Sequence, residues 1–389
     1  MNRAWLWAFV LLCVPEQNLH AQLTVRLEAM PQGTPPDAAV YIAGSFNNWN
    51  PGDNRYTLTR AGDHHVITLP ATVRGPIEFK LTLGSWERVE TDAQGGDIAN
   101  RSALVPDTPS ILMVRVAGWR SGAAPPRAHT ASPSVSVIDS VAMPQLGRAR
   151  RVWIYLPPDY ASSGKRYPVL YMHDGQNVFD AATSYAGEWG VDETLDSLHA
   201  GGDPGVIVVA ADHGGSLRIP EYSPWPTRFG AGEGDKYVDF LVGTLKPWID
   251  QKYRTLPDRL NTGIAGSSMG GLISFYAALK HPGVFGRAAV FSPAFWIAPS
   301  AYEFAAQARP QAGNRIYIIS GALEVAEGEA QGRYQRDQQR MVETLAQRGF
   351  GIGTFVVARV IPDGRHAEWF WRREFAAAYQ WLFQPRRKS

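Results

Sequence analysis

A serine flanked by glycines, a histidine far downstream and an acid between them are the residues here whose types and order could do chemistry. The segment Gly266-Ser-Ser-Met-Gly-Gly271 joins an apolar run, Thr262 to Ala265, to an Ala-rich helical run that ends near His281. Glycines on both sides remove Cβ atoms that would clash in a sharp strand-to-helix reversal, so Ser268 can present its hydroxyl at the strand end. A serine hydroxyl becomes a useful nucleophile when an imidazole takes its proton and a carboxylate orients that imidazole. The chemistry implied is acyl transfer at a carbonyl. The helix that starts after Ser268 would aim its first amides at a developing oxyanion.

The partners follow from position in the chain. Of nine histidines, His366 lies in a loop after the last strand candidate, which ends near Ile361. Glu324 is the first carboxylate after the strand Ile316 to Ser320, with Glu327 and Glu329 further along the same loop and Asp363 and Glu368 as competitors beside the histidine. One oxyanion amide is expected from Met269, the residue after the nucleophile. The other is expected from the loop Tyr171 to Asp180, with the N–H of Gln176 favoured because Gly175 allows close backbone approach. His173 and Asp174, in the same loop, are expected to brace it.

These groups need a scaffold. From Ser134 onward, strand-length apolar runs alternate with helix-length segments, and Val206 to Ala211 is apolar throughout, as a strand covered on both faces must be. The expectation is a largely parallel α/β sheet, an α/β-hydrolase fold over residues 134–389. Residues 22–118 instead show short alternating runs separated by turn residues, the pattern of a small all-β, antiparallel, immunoglobulin-like sandwich. Residues 119–133 are rich in Pro, Ala and Ser and read as a linker.

With 389 residues, the chain has room for both modules. Its 38 basic and 36 acidic residues give a formal charge of +2, with no basic block of the kind that binds nucleic acid. Residues 1–21 read as a secretory signal, basic at the start, then apolar, with cleavage expected after Ala21. The apolar run is too short to span a membrane. The expected location is secreted or periplasmic. The single cysteine, Cys13, lies in that leader, so the mature chain is expected to have no disulfide and no cysteine-bound metal. The expected chemistry calls for no cofactor.

The α/β region resembles the putative-esterase family of α/β-hydrolases, which includes feruloyl, acetyl-xylan and enterochelin-type siderophore esterases and mycolyltransferases. The resemblance is carried by Arg151-Val-Trp-Ile-Tyr-Leu-Pro-Pro-Asp-Tyr160, His173-Asp-Gly-Gln-Asn177, Trp189-Gly-Val-Asp-Glu193, Arg218-Ile-Pro-Glu-Tyr222, Tyr253-Arg-Thr-Leu256, Gly266-Ser-Ser-Met-Gly-Gly271 and Gly364-Arg-His366. It implies Ser268, His366 and Glu324 as a triad, with glutamate where many members have aspartate. Arg218, Glu221 and Trp189 are then candidates for the substrate pocket, although Arg218 and Glu221 could equally form an internal ion pair. The N-terminal motifs Val40-Tyr-Ile-Ala-Gly-Ser-Phe-Asn-Asn-Trp-Asn-Pro51, Ile77-Glu-Phe-Lys80, Gly84-Ser-Trp-Glu87 and Ile98-Ala-Asn-Arg101 are similar to starch- and glycogen-binding β-sandwich modules. That likeness implies a glycan platform of Trp49 and Trp86 with Asn100 as polar partner. The expected substrate is an ester, on a polysaccharide or on a siderophore, with water or a sugar as acyl acceptor. A carbohydrate-binding protein with an inactive hydrolase domain is the alternative from another class.

Overall fold

The computed structural model describes residues 22–384, except 48, 97, 99, 107, 121–126, 186, 228–229 and 325–331. The expected leader, residues 1–21, and the alternative acids Glu327 and Glu329 lie outside the described residues. Among the described residues no helix is long and apolar enough to cross a membrane.

The N-terminal strands form a seven-stranded sheet in the order Arg101–Val105, Gly75–Thr82, Val40–Gly44, Thr57–Ala61, His64–Thr68, Leu23–Ala29, Ser110–Arg115. Val25 and Val114 from one end and Ile77 and Phe79 from the other share one buried core. The sheet therefore folds over on itself, as its alternating pattern requires. Two details differ from the sequence expectation. Arg101–Val105, which lies outside the strand runs expected from the sequence, pairs with Gly75–Thr82. Leu23–Ala29 and Ser110–Arg115 are parallel, so the sheet is not purely antiparallel.

The C-terminal sheet has eight strands in the order Val135–Met143, Arg148–Tyr155, Ile207–Ala211, Val169–His173, Thr262–Ser267, Arg287–Phe291, Arg315–Gly321, Val356–Ile361. The first two pairings are antiparallel and the rest parallel. Alternate residues feed opposite cores: Ile264 and Val209 pack on one face, Ala265 and Val208 on the other. The parallel strands all end at one edge, and the loops that leave that edge are where such sheets hold ligands.

The helix expected over Lys236 to Tyr253 is interrupted. It runs as Gly234–Phe240, a π-helical turn Leu241–Leu245, and Lys246–Lys252. Pro247 supplies the cause, since it has no N–H to donate to the carbonyl four residues earlier.

The segment read as a linker is bound at both ends. Gly118–Trp119 pairs with Glu90–Thr91 of the N-terminal module. Beyond residues 121–126, Arg127 donates to the Ser184 carbonyl at 3.0 Å, His129 Nδ1 meets Asp180 at 2.7 Å, and the Ser132 N–H donates to Asp192 at 2.7 Å. These contacts pin the connection to the α/β module.

Candidate active site

Ser268 stands at the end of the strand Thr262–Ser267 and caps the helix Met269–Lys280. Its backbone is in a rare region, φ 57° and ψ −117°. Such strain persists only where neighbours over-determine it. They do so here: the Ser268 N–H donates to the Phe291 carbonyl at 2.9 Å, and the Ser268 carbonyl accepts from Leu272 at 3.0 Å and Ala294 at 3.1 Å. The turn also needs Gly266, because a Cβ there would lie 2.8 Å from the backbone of Gly270.

Glu324 and His366 leave the same sheet edge, after Arg315–Gly321 and Val356–Ile361 respectively. His366 Nδ1 meets Glu324 Oε2 at 3.0 Å. The second oxygen, Oε1, accepts from Ser292 Oγ at 2.7 Å and from the Gly321 N–H. Ser292 Oγ in turn accepts from Trp371 Nε1 at 2.9 Å. Ser292 immediately follows Phe291, whose carbonyl holds the Ser268 amide, so one short path of bonds ties the elbow to the acid–histidine pair. His366 is tilted by 36° against Tyr334 with ring centroids 5.0 Å apart, and lies edge-on to Trp371 at 5.1 Å. These rings fix the plane of the imidazole.

Burial alone would push the His366 imidazole down. The hydrogen bond and charge of Glu324, with Glu78 and Glu368 acting from further off, outweigh it and hold His366 above its ordinary value.

Both expected oxyanion donors precede the first bond of a helical turn. Met269 is the first residue of its helix, whose first bond runs from Leu272 to Ser268. Gln176 is in the 3₁₀ turn Gly175–Asn177, whose first bond runs from Asn177 to Asp174. Amides in such positions have no partner within their own helix and are suited to an anion. The Gln176 side chain is committed elsewhere, accepting from the His213 N–H at 3.2 Å.

His173 and Asp174 sit behind the elbow. A Cβ on Gly270 would lie 3.3 Å from each of them. Asp174 takes a two-pronged bond from Arg218, at 2.7 and 2.8 Å. His173 is buried, bonded to the Tyr237 hydroxyl at 2.9 Å and pushed down to about 4 by burial, so it is neutral at ordinary pH.

Two pocket candidates are corrected by packing. Glu221 does not couple to Arg218 and faces no pocket: it is fully buried and bonded to Arg148 and Arg150 at 2.7–2.8 Å. Trp189 is 4% exposed and packs on Phe291, Trp371 and Phe375, so it is a core residue behind the acid–histidine loops. Arg218 is a quarter exposed and supports the turn through Asp174. Trp49 and Trp86, with centroids 6.2 Å apart, are both partly exposed, and Asn100 is exposed with its amide on Glu78 at 3.3 Å.

Sequence reasoning missed Ser292 and Tyr334. Ser292 had one available signal, its place at the carboxyl end of the strand beside the nucleophile strand. Tyr334 had none, because a helix residue of ordinary type reaches His366 only through tertiary packing.

A family model described as Putative esterase matches residues 143–382. The chain is 27% identical over 245 residues to an endo-1,4-beta-xylanase/feruloyl esterase of Xylanibacter ruminicola, a match covering 61% of this chain and 30% of that protein. It is 40% identical over 93 residues to an alpha-amylase of Niallia circulans, covering 24% of this chain and 7% of that enzyme. Among solved structures, the enterobactin esterase of Shigella flexneri is similar in fold, with a TM-score of 0.54 at 19% identity, covering 89% of this chain and 88% of that one. That span is too long for the α/β module alone.

Proposed function

Since this chain belongs to the Putative esterase family and is an ester-hydrolysing enzyme, we propose that it is an exported serine carboxylesterase acting on acyl esters carried by a polysaccharide. The observation that carries the catalytic part is the 3.0 Å bond from His366 Nδ1 to Glu324 at the sheet edge where Ser268 is held in its strained turn.

The Ser268 Oγ attacks the ester carbonyl carbon while His366 Nε2 takes its proton. Glu324 keeps Nδ1 protonated and steadies the imidazolium. The amides of Met269 and Gln176 stabilise the tetrahedral oxyanion. Collapse expels the alcohol, which receives the proton from His366 and leaves an acyl group on Ser268. Water then attacks the acyl-enzyme, again giving its proton to His366, and the carboxylic acid departs as the proton returns to Ser268.

Two features support a glycan-borne ester. A stretch about as long as the N-terminal module is 40% identical to part of an alpha-amylase, and a second relative combines xylanase and feruloyl esterase in its name. A siderophore ester is the second reading, favoured by the likeness to an enterobactin esterase over both modules.

The test is a hydrolysis panel of acetylated and feruloylated oligosaccharides and a siderophore ester, run on wild type and Ser268→Ala. Cleavage of the sugar-borne esters by wild type alone is expected; wild type at buffer level on these while cleaving the siderophore ester contradicts the substrate assignment. Export is tested separately, by finding exported protein that begins at Gln22. Protein retained in the cytoplasm with residues 1–21 intact contradicts it.

A further inference from the structure

Trp86 of the N-terminal module does not face away from the α/β module. Its ring meets Tyr185 edge-on, with centroids 5.7 Å apart. Tyr185 belongs to the loop that follows the oxyanion turn, and that loop hangs from the turn itself: the Tyr185 N–H donates to Asn177 Oδ1 at 3.1 Å, and Thr183 Oγ1 donates to the Gln176 carbonyl at 2.8 Å. Trp49, Trp86 and Tyr185 are therefore one run of rings that starts in the sandwich and ends beside the turn that carries Gln176. Tyr185 is 51% exposed and both indoles are partly exposed, so the run presents accessible aromatic faces.

The polar members lie on the same side. Glu78 projects from Gly75–Thr82, holds the Asn100 amide at 3.3 Å, and is near enough to act on His366, Tyr334 and Arg333 of the α/β module. Trp49 adds an independent sign of function. Its φ is 56°, a conformation rarely adopted by a bulky side chain. The turn is enforced by Asn47, whose side chain accepts from the Gly44 N–H at 2.8 Å and donates to the carbonyls of Ile42 and Asn50 at 3.2 Å. Strain of this kind collects at ligand sites.

We propose that the N-terminal module is one wall of the catalytic cleft, in which Trp49, Trp86 and Tyr185 stack against the sugar that bears the scissile ester while Glu78 and Asn100 hold its hydroxyls. The reading rests on the glycan-ester function above. Aromatic faces suit the apolar C–H surfaces of a pyranose, and a carboxylate beside an amide offers the acceptors and donors that sugar hydroxyls need. The Trp86–Tyr185 contact is the direct bridge between the two walls. The module thus selects the alcohol part of the substrate at the point of cleavage, rather than tethering the enzyme to a distant stretch of glycan.

The experiment compares wild type with Trp86→Ala, Tyr185→Ser and Asn100→Ala in the full chain, on 4-nitrophenyl acetate and on an acetylated xylo-oligosaccharide. In each variant the kcat/KM for the sugar ester is expected to fall about 10- to 100-fold, mainly through KM, with 4-nitrophenyl acetate changed less than about twofold. The two wall partners come from different modules, so misfolding of one variant leaves the other informative, and retained 4-nitrophenyl acetate activity certifies the fold. Sugar-ester kinetics equal to wild type in all three variants overturn the proposal while leaving the glycan-ester reading intact. A wild type that cleaves 4-nitrophenyl acetate and no sugar ester overturns that reading, and the wall with it.

Discussion

Gly321 and Gly364 cross so closely that a Cβ on Gly321 would lie 2.2 Å from the carbonyl carbon of Gly364. The crossing is laced by the Leu323 N–H to the Gly364 carbonyl at 2.9 Å and the Ala322 N–H to the Ile361 carbonyl at 2.8 Å. It carries the loop of Glu324 past the loop of His366, so the spacing of acid and histidine is set by backbone packing. Gly364→Ala would meet Gly321 Cα and the Phe370 ring at 2.7 Å and push the loops apart. The expected result is a kcat lower by about 100-fold, the scale of a 1 Å misplacement, with the far-ultraviolet circular dichroism retained. Unchanged kcat would show that the crossing does not set the geometry.

His366 serves as a base only when neutral, so kcat/KM should rise with pH through a value above histidine's ordinary one, because burial, which lowers it, is outweighed by Glu324, Glu78 and Glu368 together. In Glu324→Gln the largest opposing influence is gone and burial dominates. The inflection is expected to move to lower pH, and kcat to fall by about 10²- to 10⁴-fold with KM little changed. A pH–rate profile of both proteins checks the two effects together. An inflection that stays in place would mean another group limits the acid limb.

Asp174→Asn tests the brace behind the elbow. It leaves the Arg218 guanidinium without its carboxylate, and the expected loss is about 3 kcal/mol, the low end for a broken buried pair because Arg218 retains a quarter of its exposure. Burial raises the Asp174 carboxyl, but the charge and hydrogen bond of Arg218 overcome it and hold it below its usual value. A depressed carboxylate stabilises the fold above its unfolded pKa, and that contribution is lost as pH falls through the folded value. The gap between wild type and Asp174→Asn should therefore close below about pH 4. Urea unfolding across pH measures it, and a gap that persists in acid counts against the pair.

Trp189→Ala separates core from pocket. Removing an indole packed on Phe291, Trp371 and Phe375 should cost about 3–5 kcal/mol of unfolding free energy. In the fraction that stays folded, KM should be unchanged. A raised KM with normal stability would return Trp189 to the substrate site.

The sequence was most legible where chemistry is bound to local backbone. The elbow at Ser268 needs particular glycines between a strand and a helix, and the loops of Glu324 and His366 follow from counting apolar strands. What stayed hidden depends on contacts between distant elements. Arg218 and Glu221 are one helical turn apart and look like partners, yet the fold sends one to Asp174 and the other to Arg148 and Arg150. Trp189 adjoins a helix start in a family motif, and nothing local distinguishes a core indole from one lining a pocket. Ser292 and Tyr334 are ordinary residues until the sheet order brings them to Glu324 and His366. Arg101–Val105 forms a strand because its neighbour supplies the pairing its own pattern does not announce.

The central claim, a nucleophilic Ser268, is tested most directly by intact-mass analysis after reaction with a fluorophosphonate. One phosphonyl adduct per wild-type chain is predicted, mapping to the peptide that contains Ser268 and absent from Ser268→Ala. An adduct that persists in Ser268→Ala, or a wild type that cleaves esters while Ser268 stays unlabelled, would contradict it.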